Sequence, residues 1–362
     1  MTTNACGLNC DLCPAARRCG KVCNFCRVGT HGGRSKCAGC SLCPGSPLLD
    51  MRVRRQWIEH LGGLDLTWPR EVVHPQLPEL PVHLPVLVQG YADPVDVPWA
   101  AIHGGRLLGA TGQQLTPKHR RPLREAYRLG ANTKIALEFY VEDRVLEGLW
   151  ARRHLVIQQF AGLGVDLILA PNFSVWFDQP RFLSLIQIRK AFVFYMEMVE
   201  RNLPAVPDVG FYHFEPDGRL WAEWVNAQRG LKAVSLFCGG KRVHASKRHF
   251  RETFEDIALF HQAVRPDVTF ILGGVHSQSR LSAYRTVAPG RRLVFCNGMA
   301  YALAQRRRLL DSSPTGVARS ARDCFLRNVA YNDRVYAQLI KQDELRQGED
   351  RRPSGRWRGV AR

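Results

Sequence analysis

Apolar and polar positions fall into three regimes along this chain. Over residues 1–47 the recurrent apolar residue is cysteine, and no other apolar run is long enough to seed a core. Residues 50–60 have the spacing of a short helix, closed by Gly62 and Gly63. Residues 68–85 are interrupted by Pro69, Pro75, Pro78, Pro81 and Pro85, which predicts an extended linker rather than helix or sheet interior. Beyond residue 85 the pattern becomes rhythmic. Short β-branched or apolar runs occur at 86–89, 99–103, 134–140, 166–170, 208–214, 232–238, 268–272 and 293–296. Stretches with helical spacing lie at 117–129, 145–163, 181–202, 219–229, 248–264, 279–287 and 328–346. In 181–202, Phe182, Leu185, Ile186, Phe192, Val193, Met196 and Val199 share one broad apolar face, with Arg189, Lys190 and Glu197 elsewhere.

Strands that are apolar on both faces and alternate with helices predict a parallel α/β sheet. Eight of them predict a (β/α)8 barrel of the TIM type, with an irregular or open barrel and a doubly wound sheet as alternatives. The irregularity is expected at the first crossover, because nine residues between 89 and 99 are too few for a helix. The expected organisation is a cysteine-rich module (1–47), a short helix and proline-rich linker (48–85), the barrel-like domain (86–346) and a basic, disordered tail (347–362) carrying Trp357.

Charge narrows the partners. The formal net charge is +19, and nine of the 51 basic residues are Lys. A polyanion, DNA or RNA, is the expected partner. No basic-then-apolar leader and no apolar run of about 18 residues is present, so neither secretion nor membrane insertion is expected and a cytoplasmic setting is.

Nine of the twelve cysteines stand in the first 43 residues, as Cys6, Cys10, Cys13, then Cys19, Cys23, Cys26, then Cys37, Cys40, Cys43. In a reducing compartment such clusters bind metal rather than form disulfides. Two Zn²⁺ sites fit: Cys23, Cys26, Cys37 and Cys40 for one, and Cys6, Cys10, Cys13 and Cys19 for the other. Cys43 is then left over, and His31 is a substitute ligand. The alternative is a [4Fe–4S] cluster, because C-x3-C-x2-C occurs twice and is the spacing used by radical S-adenosylmethionine enzymes. The string Cys6-Gly7-Leu8-Asn9-Cys10-Asp11-Leu12-Cys13-Pro14 resembles small zinc-type domains attached to many bacterial proteins.

In a barrel, chemistry sits where the strands end. The candidate catalytic residues there are Glu138, Asn172, His213 with Glu215 as its partner, and His276. The candidate anion or phosphate site comprises Gly273, Gly274, Ser277, Asn297 and Gly298, whose backbone N–H groups can approach an anion, with Lys241 and Arg242 beside them. Cys238 and Cys296 are read first as buried structural cysteines, with proximity at what read as adjacent strand ends as the alternative.

Residues from about 133 to 310 resemble an uncharacterised family, a domain of unknown function, found in bacteria, phages and mobile elements. The resemblance is carried by Ala136-Leu137-Glu138-Phe139-Tyr140-Val141-Glu142-Asp143 and by Leu169-Ala170-Pro171-Asn172-Phe173-Ser174-Val175-Trp176, with Pro180 beyond. The family pattern has Asp where this chain has Asn172. The resemblance implies a barrel-like domain and a mobile-element setting, and no reaction. The resulting expectation is a metal-binding, nucleic-acid-associated barrel acting on a nucleotide or nucleic acid. The alternatives are a radical S-adenosylmethionine enzyme and a non-catalytic binding scaffold.

Overall fold

A computed structural model describes residues 56, 58–119, 122–175, 181–211, 213–238, 247–275, 278–311 and 320–350. The cysteine module, with Cys6 through Cys43 and His31, lies outside them, as does the tail from 351 with Trp357. So does most of the expected helix at 50–60.

Eight strands form one parallel sheet: β1 (His83–Leu87), β2 (Trp99–His103), β3 (Lys134–Glu138), β4 (Leu167–Leu169), β5 (Ala205–Val206), β6 (Ala233–Phe237), β7 (Thr269–Gly273) and β8 (Leu293–Asn297). Their order is β5-β4-β3-β2-β1-β8-β7-β6. The ends of that order meet through a parallel bridge between Asp208 and Ser235. There Val209 N–H donates to Ser235 O at 2.8 Å, and Ser235 N–H to Pro207 O at 2.9 Å. The sheet is therefore a closed barrel, as the rhythm predicted.

Helices wrap the outside: α1 (Gly104–Leu107), α2 (Leu123–Tyr127), α3 (Asp143–Ala151), α4 (Arg153–Phe160), α5 (Arg181–Glu200), α6 (Arg219–Ala227), α7 (Lys247–Ala263), α8 (Gln278–Val287), α9 (Met299–Gln305) and α10 (Ala321–Asp350). The single helix expected over 145–163 is two, and α1 and α9 were not foreseen. β1 and β2 pair directly in parallel, Val86 with Ala101 and Leu87 with Ile102, and only irregular chain joins them. The first crossover is thus the irregular one.

Residue parity separates two apolar layers. Leu84, Val86, Trp99, Ala101, Ala136, Leu167, Leu169, Val206, Ala233, Ile271, Val294 and Cys296 pack together inside the barrel. Their strand neighbours, including Ile102, Leu137, Ile168, Val234, Leu272 and Phe295, pack against the helices. Because successive strand side chains alternate, Cys238 joins the outer layer and Cys296 the inner one. The two thiols are buried on opposite faces of the wall, with β7 between their strands, so the reading as buried structural cysteines holds and the alternative of proximity does not.

The proline segment departs from its reading. β1 begins at His83, so Pro85 lies in a strand, opposite Asn297. Val82 O accepts from Phe295 N–H, which turns the backbone groups of the even-numbered residues toward β8 and those of Pro85 toward β2. Pairing with β2 begins only at Val86, so the missing N–H precedes that ladder. Upstream, the segment is a strap rather than a free linker. His74 bonds the Tyr195 hydroxyl at 2.7 Å and Gln228 at 3.2 Å. Arg189 is buried in α5 and donates to the carbonyls of Leu61 (2.9 Å), Asp65 (2.5 Å), Thr67 (2.8 Å) and Gly62 (3.3 Å). This explains why α5 is buried almost all round, where the sequence showed one apolar face: barrel and strap cover opposite sides.

Candidate functional site

The inner layer turns polar at the C-terminal ends of the strands. β2 ends on His103 and β3 on Glu138, and these two are register partners. His103 Nδ1 lies 2.5 Å from Glu138 Oε1. Glu138 Oε2 accepts from Tyr140 N–H at 2.8 Å. Glu138 is buried, with both oxygens accepting. In a neutral imidazole, a carboxylate at Nδ1 favours the proton on that nitrogen and leaves Nε2 as the acceptor, a base oriented by a carboxylate.

A second carboxylate stands beside the same Tyr140. Asp208, just past β5, is fully buried; Oδ1 accepts from Asn172 Nδ2 at 2.5 Å, and Oδ2 from Ser235 Oγ at 2.9 Å. Burial pushes its pKa up to about 7, against the opposing hydrogen bonds of Asn172, Ser235 and the neighbouring Tyr140. Asp208 is thus poised to hold or release a proton near neutrality.

Tyr140 links the two halves. Its ring crosses the barrel to β7, where a Cβ on Gly273 would lie 2.2 Å from Tyr140 Cε2. Only glycine leaves room for the ring. It stacks on Phe237 at the end of β6, with centroids 4.6 Å apart and planes at 26°. The hydroxyl is buried beside Asp208 and Ser235, yet makes no well-formed hydrogen bond among the described residues. Burial, then the acidic neighbours Asp208, Cys296 and Glu138, hold the phenol well above its usual range. Cys296 lies under the same cluster, and burial with Glu138 nearby pushes its thiol up as well.

Of the residues expected from sequence, Glu138 and Asn172 meet in this cluster. His213 is placed elsewhere: its Nδ1 is 3.2 Å from Asp256 Oδ2, and Asp256 Oδ1 accepts from Phe214 N–H at 2.8 Å. Glu215 is exposed and ion-paired with Arg219 four residues on. The carboxylate paired with His213 is therefore Asp256, not Glu215. Gly273 is explained by Tyr140. Gly274 N–H donates to Cys296 O at 2.9 Å and so belongs to the barrel wall. Asn297 turns outward, donates to the Tyr336 hydroxyl at 3.1 Å and accepts from Met299 N–H at 3.2 Å, which ties α10 and α9 to β8. Gly298 caps α9. His276, Ser277, Lys241 and Arg242 lie outside the described residues.

Sequence reasoning missed His103, Tyr140, Asp208, Ser235 and Phe237. One signal was present: His103 and Glu138 each end a strand directly after three apolar residues, at the parity that faces inward.

Neither a family model nor a curated protein matches the chain. Among solved structures, one titled "X-ray crystal structure of the YdjI aldolase from Escherichia coli K12" is similar at a TM-score of 0.35 and 9% identity, over 82% of this chain and 96% of that one. The barrel assignment rests on the strand pairing of this chain.

Proposed function

We propose that the chain is an enzyme performing general acid–base chemistry on a substrate held at the C-terminal mouth of the barrel. His103 Nε2 is the base, oriented by Glu138. Asp208, with Tyr140 beside it, is the proton donor on the other side. The carrying observation is the pairing of an oriented imidazole at 2.5 Å from its carboxylate with a second, buried carboxyl shifted to about 7. An oriented imidazole and a buried carboxyl that keeps its proton can divide base and acid roles in this way. Asn172 and Ser235 position Asp208. The net charge of +19 supports a phosphate-bearing substrate, a nucleotide or a nucleic acid. In the cysteine module, the sulfur spacing supports two structural Zn²⁺ ions, with a [4Fe–4S] cluster as the alternative that elemental analysis of the purified chain separates.

The test is to incubate the full chain in D2O with nucleotides and phosphorylated small molecules, and to follow turnover and deuterium wash-in by NMR. Acid–base chemistry predicts exchange that falls by roughly 10²–10⁴-fold in His103→Gln and in Asp208→Asn. Exchange that survives both substitutions overturns the reading.

A further inference from the structure

β6 is buried up to Leu236 and open at its last residue, Phe237, which keeps 38% of its surface accessible. The large hydrophobic residues exposed among the described residues are Val73, Leu155, Leu259 and Phe237, and of these only Phe237 belongs to a barrel strand. Parity turns it inward: Ala233 packs in the inner layer and Ser235 bonds Asp208, so Phe237, two residues on, points over the mouth. One face of its ring lies on Tyr140 at 4.6 Å. Tyr140 is itself fixed beneath it by Gly273 and by its own N–H on Glu138. The stack is therefore aromatic, partly accessible at Phe237 and set beside polar groups. Among these, the Tyr140 hydroxyl is buried beside Asp208 and Ser235.

We propose that Phe237 is a stacking platform for the planar heteroaromatic ring of the substrate, a nucleobase presented by a nucleotide or by a single strand of nucleic acid. The proposal rests on the acid–base reading of the same mouth and names its substrate class. A π-face accepts any base, and stacking leaves the ring edge free for hydrogen bonds at the mouth. The charge of +19 favours a ring that carries phosphate.

Calorimetric binding of AMP, a short oligodeoxythymidylate and ribose 5-phosphate to the full chain tests it. AMP, the oligonucleotide or both should bind, and the affected probe should weaken about tenfold in Phe237→Leu and recover in Phe237→Tyr. Ribose 5-phosphate, which lacks a ring, should be indifferent to Phe237. A loss confined to AMP assigns the base to a free nucleotide, and a loss confined to the oligonucleotide assigns it to a strand. Undiminished binding of both ring-bearing probes in Phe237→Leu overturns the platform. So does an equal loss for ribose 5-phosphate, or no binding of either ring-bearing probe to the unaltered chain. The His103→Gln exchange assay reads the underlying function separately. Exchange that needs His103, with binding indifferent to Phe237, removes the platform alone; the opposite pattern removes the acid–base reading alone.

Discussion

Ser235 donates its hydroxyl to Asp208 Oδ2 at 2.9 Å in the same register where these two residues close the barrel. Closure and chemistry thus share one contact. The bridge that joins the first and last members of the sheet order also buries a carboxyl at the mouth and shifts it to about 7.

That shift makes stability depend on pH. Folded Asp208 keeps its proton to about 7, against 3.8 for the ordinary carboxyl. Its contribution is therefore fully present below pH 3.8 and is lost as pH rises through 7. The full loss is at most about 4 kcal/mol. Urea midpoints at pH 5 and pH 8 should differ less in Asp208→Asn than in the unaltered chain. An unchanged difference would contradict the buried, raised carboxyl.

Glu138 acts on His103 by orientation, so Glu138→Gln should keep the fold and cost activity. A neutral amide no longer favours the proton on Nδ1, and the share of imidazole with a free Nε2 falls. Turnover should drop by about tenfold or more, with a changed pH profile and near-normal substrate affinity. The comparison of kcat with KM across pH distinguishes this from a packing defect.

Gly273→Ala should destabilise the barrel and displace a specific ring. The new Cβ would sit 2.2 Å from Tyr140 Cε2 and 2.4 Å from Cζ. Overpacking of this kind costs roughly 1–3 kcal/mol. Adding Tyr140→Ala removes the clashing ring, so by denaturant unfolding the double variant should lose less than the sum of the two single losses.

The strap should detach when Arg189 is replaced. Arg189→Met strands the carbonyls of Leu61, Gly62, Asp65 and Thr67, at a cost of roughly 3 kcal/mol. Hydrogen exchange over residues 61–83 should accelerate more than exchange in β6 or β7. Acid should assist the release. Burial holds the His74 imidazole below its ordinary 6.5, so its stabilising share is present above that value and lost as pH falls through the folded value.

The fold was legible because its signals are local. Each apolar run of four or more residues needed only its own composition to declare a strand, and β2 was placed at 99–103 as observed. Boundaries failed where pairing outweighed propensity. His83–Pro85 entered β1 because β8 offered a partner, and β5 formed at Ala205–Val206, upstream of the run expected at 208–214, of which Asp208 bridges the closure. The site was half legible. Glu138 and Asn172 were found as polar residues after apolar runs. Asp208 was passed over because burial, which no sequence displays, is what raises its pKa.

The order of apolar and polar residues by itself determined eight parallel strands, a barrel and the end at which its polar groups collect. It also determined the basic charge and the sulfur spacing of residues 6–43. Only the tertiary structure decided which polar groups meet. His103 and Glu138 stand 35 residues apart and touch through strand register, whereas His213 and Glu215 stand two apart and take different partners. Register and closure act between distant segments, and proximity along the chain carries no information about them.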